Sequence, residues 1–70
     1  MIYAIRQRGQ RQTLVEMSAT DLNWVPWDPY VTYSSVNTAV AHRWVRDGKE
    51  HETGLFVDDD GKLRYAPRGS

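Results

Sequence analysis

Residues 24–30, Trp-Val-Pro-Trp-Asp-Pro-Tyr, carry two prolines three positions apart, and no other stretch restricts the fold of this chain so strongly. Each X-Pro step drives the residue before it, here Val25 and Asp28, out of the helical region toward extended or turn geometry. The stretch is therefore a stiff aromatic connector that joins an N-terminal third to a longer C-terminal part. It holds two of the three tryptophans, Trp24 and Trp27, together with Tyr30. Such rings either complete a small core or face a partner.

Before the connector, residues 2–8 and 12–17 are rich in strand formers, with Leu14-Val15 as a compact apolar pair. Gly9, between Arg8 and Arg11, can take the positive φ of a tight turn. The pattern predicts a β-hairpin over about 2–17. A slip of one residue would exchange Tyr3 and Ile5 for Ile2 and Ala4 on the buried face, so the pattern leaves the face open. Ser18 and Thr20 are candidate caps for a short turn of helix that Pro26 must stop.

After the connector, Asp28-Pro29 has the form of a helix entry, whereas Val31-Thr32-Tyr33 is β-branched and aromatic and could equally be extended. From residue 35 the periodicity is helical. At about 100° per residue, Val36, Val40, Ala41, Trp44 and Val45 share one half of the cylinder, and Ser35, Thr38, His42, Arg43 and Arg46 the other. Ser34 or Ser35 would cap this helix of about 35–47, Gly48 would follow its end, and Asn37 falls inside the apolar arc. Residues 50–65 read as a second hairpin turning at Asp58-Asp59-Asp60-Gly61. The expected fold class is α+β: a small antiparallel sheet from two β-hairpins packed against one amphipathic helix. One domain over 1–66 and a flexible tail over 67–70 complete the expectation.

A chain of 70 residues without cysteine has no disulfides and no thiolate metal site, so tight aromatic packing, a ligand or a partner must help a small core. The cysteine count suits a reducing, cytoplasmic setting, and no run is long and apolar enough to span a bilayer. Nine basic and nine acidic side chains cancel, which gives no general attraction to nucleic acid or to an anionic membrane. The distribution is uneven. Arg6, Arg8 and Arg11 make the first hairpin basic, and Asp47, Glu50, Glu52, Asp58, Asp59 and Asp60 outweigh Arg46 and Lys49 and make residues 46–60 acidic.

The motifs of catalysis are missing. Aligning Gly61 with the invariant glycine of an EF-hand loop puts Phe56 and Pro67 at ligand positions, so the aspartate run reads as a solvated turn. His42 and His51 lack an HExxH pattern and a third ligand, and both read as exposed side chains. Neither Ser34 nor Ser35 lies in a nucleophile elbow, and no glycine-rich phosphate loop occurs. The expectation is no enzyme, no cofactor and no metal.

What remains is binding. Trp24, Trp27 and Tyr30 are residue types that anchor interfaces, and Arg6, Arg8 and Arg11 supply a charged patch beside them. The same arginines could approach a phosphate backbone, which makes a nucleic-acid-binding module an alternative. A structural assembly subunit is another.

In its whole-chain plan, a cysteine-free domain of this length with strands flanking one helix and a mosaic of charge, the sequence resembles the small phage-encoded proteins that bind and redirect host machinery. Among these it looks most like the inhibitors of bacterial RNA polymerase, and anti-CRISPR proteins share the plan. The resemblance carries no signature motif, so it assigns no residue a role. It implies a non-enzymatic protein-binding regulator that occupies a surface on host RNA polymerase and alters transcription. Neutral net charge sets the chain apart from the strongly acidic members that mimic nucleic acid.

Overall fold

The computed structural model of the protein describes residues 2–22 and 28–66. Strands β1 (Ile2–Arg8) and β2 (Arg11–Met17) form the first hairpin, paired from Ile2 with Met17 to Arg8 with Arg11. Gly9 has φ 63 and Gln10 has no positive φ. That combination is the type II′ pattern, whose twist suits a two-residue hairpin. A four-residue helix, α1 (Ala19–Leu22), comes next, and Ser18 Oγ accepts the Asp21 amide at 3.0 Å as its cap.

The third strand of the sheet, β3 (Val31–Val36), pairs antiparallel with the other side of β1, from Tyr3 with Val36 to Arg8 with Val31. The order is β2-β1-β3. Ser34 and Ser35, expected at the start of the helix, lie instead opposite Ile5 and Ala4 in this strand. The β-branched and aromatic residues of the segment fit the pleat, and they give the central strand β1 a partner on its second edge. The Asp-Pro entry signal is spent on a turn, in which the Val31 amide donates to the Asp28 carbonyl at 3.2 Å.

Helix α2 accordingly begins at Thr38 and ends at Arg46 (Thr38–Arg46), shorter at both ends than the expected 35–47. Asn37 is its N-cap: extended at φ −77, ψ 166, it accepts the Val40 amide on Oδ1 at 2.8 Å. A residue read as an amide in the apolar arc thus satisfies a free helix donor at the surface. At the other end the Gly48 amide reaches the Val45 carbonyl and the Lys49 amide the Trp44 carbonyl. With Gly48 at φ 77, this is a Schellman closure.

Strands β4 (Leu55–Val57) and β5 (Leu63–Tyr65) pair as a sheet of their own. The expected α+β class holds, but the two hairpins do not share one sheet. Alternation along the strands sorts the first sheet into two faces. Tyr3, Ile5, Leu14 and Val36 face α2 and the second sheet, where Leu14, Ala41 and Leu55 are buried and Trp44, Val45, Leu63 and Tyr65 pack around them. Ile2, Ala4, Val15 and Tyr33 fall on the far face. Ala4 is fully buried there, so the single-face reading of the hairpin is replaced by a sheet covered in part on both sides.

The outer edge of β2 is also covered. Residues 50–52 run alongside it: the Leu14 amide donates to the Glu50 carbonyl at 3.1 Å and the Glu52 amide to the Leu14 carbonyl at 2.8 Å, around a parallel bridge between Leu14 and His51. The Glu16 amide donates to the Glu52 carboxylate at 3.3 Å.

Candidate functional site

Arg6 and Arg8 are two apart on β1 and Arg11 lies opposite Arg8, so the three arginines share the far face at the turn end of the hairpin. All three are exposed. Like charges directly opposite one another destabilise a sheet, and two carboxylates relieve the clash. Asp28 takes Arg8 Nε at 3.2 Å and Glu50 takes Arg11 Nε at 2.8 Å. The basic hairpin and the acidic region, apart in sequence, therefore meet within the fold. Among the described residues Arg6 has no ion-pair partner within 4.0 Å.

Glu50 is the junction of this region. Its side chain accepts from the Thr13 hydroxyl and from Arg11. These hydrogen bonds, Thr13 foremost, hold its carboxyl below the ordinary 4.5, and the Arg11 and Arg6 charges add to the effect. Its backbone carbonyl accepts both the Leu14 amide and Trp44 Nε1, the latter at 2.7 Å. One residue thus ties β2, α2 and the arginine cluster together. The sequence offered a signal for it only indirectly: arginines facing each other across a two-residue turn require counter-charges, but the acidic run does not say which residue supplies them.

Asp28 performs a similar task for the aromatic side. Its Oδ1 accepts the Tyr30 amide at 2.9 Å while its Oδ2 holds Arg8. The amide of Tyr30 is the main cause that lowers the Asp28 carboxyl below its usual value, with Arg8 assisting. The backbone of Tyr30 is thereby fixed while its side chain stands 74% exposed. Tyr33 lies across from Arg6 in the sheet and is half-buried. Of the expected binding residues, Arg6, Arg8 and Arg11 are gathered at the turn end of the far face, Asp28 ties the Tyr30 backbone to Arg8, and Trp24 and Trp27 lie outside the described residues.

Elsewhere the polar groups serve the fold. His42, expected on an exposed helix face, is half-buried and donates from Nε2 to the Gly61 carbonyl at 2.8 Å, joining α2 to the β4–β5 turn. His51, likewise expected to be exposed, is half-buried beside β2 and places Nδ1 2.7 Å from the Lys49 carbonyl. Asp58 accepts the amides of Asp60 and Lys62 on one oxygen and Arg64 Nε, at 2.7 Å, on the other. The aspartate run is thus a turn organised by its first carboxylate, held below the usual range chiefly by Arg64. Among the described residues no group of three His, Asp or Glu side chains is placed to hold a metal ion.

Two further surface features escaped the sequence reading. Phe56, on the outer side of the second sheet opposite Arg64, is 43% exposed. A shallow groove of about 680 Å³ runs between the first half of α2 and residues 61–63, edged by Arg43 and Lys62. Neither adjoins the arginine cluster in sequence or strand pairing.

Comparisons with protein-family models, with curated proteins and with solved structures find no match. Among the described residues no helix is long and apolar enough to cross a membrane.

Proposed function

We propose that the protein is a non-enzymatic, protein-binding regulator that works in the cytoplasm by occupying a surface on a larger assembly. The resemblance of its plan to phage-encoded inhibitors selects host RNA polymerase as that assembly and altered transcription as the result. The observation that carries the reading is Tyr30, a large ring exposed on a backbone held by Asp28, next to an arginine cluster. Tyrosine and arginine are the side chains over-represented at interface hot spots, and a pre-fixed backbone lowers the ordering cost of binding. Arg6, across from Tyr33 in the sheet, adds an exposed charge to meet an acidic surface. Asp28 and Glu50 within the cluster oppose a phosphate backbone, which favours a protein partner over nucleic acid.

Purified bacterial RNA polymerase, titrated with the protein and with Tyr30→Ala, tests this. Wild type should bind and change transcript yield, and Tyr30→Ala should weaken binding by roughly tenfold or more, the effect of losing one hot-spot ring, with an unchanged melting temperature. Binding that is absent at about 10 µM, or that ignores Tyr30→Ala, sinks the reading.

A further inference from the structure

The sheet β2-β1-β3 has two long edges, and the described residues treat them differently. Along β2 the edge is closed by residues 50–52, whose backbone exchanges hydrogen bonds with Leu14 and whose Glu52 carboxylate takes the Glu16 amide. Along β3 no described strand pairs with the outer edge: among the described residues only the Asp28 carbonyl takes one of its amides, that of Val31 at the start of the strand. Soluble proteins protect such edges with charged side chains, proline, bulges or very short strands. Val31-Thr32-Tyr33-Ser34-Ser35-Val36 has six residues, no charge, no proline and an unbroken ladder to β1. The second sheet, by contrast, has strands of three residues only.

We infer that β3 is a self-association edge: two copies of this chain pair β3 against β3 across a two-fold axis and build a continuous six-stranded sheet. Three observations select a second copy as the occupant. The two-fold operation reverses the strand and keeps its face only when the axis stands perpendicular to the sheet, so directly opposed positions add to an even number. Centred on Tyr33 this sets Thr32 against Ser34 and Val31 against Ser35. Centred on Ser34 it sets Thr32 against Val36 and Tyr33 against Ser35. Every one of these pairs is uncharged and drawn from hydroxyl, β-branched and aromatic residues, which make favourable cross-strand neighbours. The net charge of zero removes long-range repulsion between copies. The blocked β2 edge then ends the assembly at two, as closed isologous pairing requires, with the order β2-β1-β3-β3-β1-β2.

A six-residue strand pair is small beside the ~800 Å² per partner of a standard interface, so the dimer belongs to the micromolar range. Self-pairing does not depend on the proposed polymerase binding, and the variants that test it leave Tyr30 and the arginines intact.

Thr32 and Ser34 are both exposed and on the same face of β3. The double variant Thr32→Lys with Ser34→Lys puts lysine against lysine in both registers, and Thr32→Glu with Ser34→Glu puts glutamate against glutamate. Sedimentation velocity from roughly 1 to 500 µM brackets the range in question. Wild type should move from its 8.1 kDa monomer toward twice that mass, and each variant alone should raise the dissociation constant at least tenfold with unchanged circular dichroism. An equimolar mixture of the two variants should dimerise again. A wild type that stays monomeric overturns the inference. So does a dimer indifferent to both variants, or folded variants whose mixture stays monomeric. If polymerase protects the β3 amides from hydrogen exchange in a monomeric wild type, the edge belongs to a foreign partner and self-pairing is refuted.

Discussion

Removing the Asn37 side chain gives the sharpest test of how α2 is built. Asn37→Ala deletes one acceptor, the Oδ1 that holds the Val40 amide at 2.8 Å, and leaves the Asn37 carbonyl to accept the first helical bond from Ala41 at 3.0 Å. The site is exposed, so water takes over part of the lost bond and the cost stays in the ordinary range for a cap, about 1 kcal/mol. A domain of this length has a total stability of roughly 4–10 kcal/mol, and a loss of about 1 kcal/mol shifts its melting temperature by about 4–8 °C. Asn37→Asp keeps an acceptor and sets a negative charge at the positive end of the helix, and should match wild type. Ser34→Ala and Ser35→Ala, whose side chains make no hydrogen bond to the described residues, should stay within about 0.5 kcal/mol. Urea titration followed by circular dichroism measures all four. If either serine variant costs more than Asn37→Ala, the helix starts where periodicity places it and the assignment of β3 is wrong.

Gly54→Ala should destabilise by about 1–3 kcal/mol, the usual cost of overpacking, because a Cβ there would sit 2.9 Å from both the Ala66 carbonyl oxygen and Tyr65 Cε2. That carbonyl has little room to retreat, since the Ala66 amide is bonded to the Gly54 carbonyl at 2.8 Å; an unchanged denaturation midpoint refutes the close approach. Acid should also weaken the protein. The Glu50 and Asp58 carboxyls are depressed in the fold below 4.5 and 3.8, so their stabilisation is complete above those values and disappears as pH falls through the lower folded-state ones. Thermal melts from pH 6 down to about 2.5 should show that loss, and Thr13→Val combined with Arg11→Gln should flatten it. Equal pH slopes in the variant and wild type would remove Glu50 from the account.

Local chemistry announced the local elements. The hairpin over 2–17 was legible because a glycine between two strand-forming runs matches the φ that its turn requires, and the end of α2 because Gly48 comes directly after the last periodic residues. The turn at Asp58 was legible for the same reason. β3 was hidden for two physical reasons. Val36 continues the apolar series of α2, so helical periodicity extends backward into the strand. The partner that makes the segment a strand is β1, about thirty residues away, and no local pattern records that. Asn37 was misread as a consequence, since a residue assigned to the interior of a helix cannot also be its cap. At the candidate site, the residue types came from the sequence and the pairing did not: nothing in the order of residues sets Arg8 against Asp28 or Arg11 against Glu50.

The strip formed by residues 50–52 along β2 sets an order of events for the molecule. Its contacts with Leu14 and Glu16 close a loop of more than thirty residues, while the β1–β2 turn closes one of two. Loop-closure entropy makes the first slow and the second fast, so the hairpin forms early and the strip is laid down late. In native-state hydrogen exchange, the Leu14 and Glu52 amides would then be released together, ahead of the β1–β3 ladder. During that opening β2 stays paired with β1 but loses the cover of its outer edge, and the chain briefly presents bare strand backbone at the residue that carries its largest fully buried side chain, Leu14.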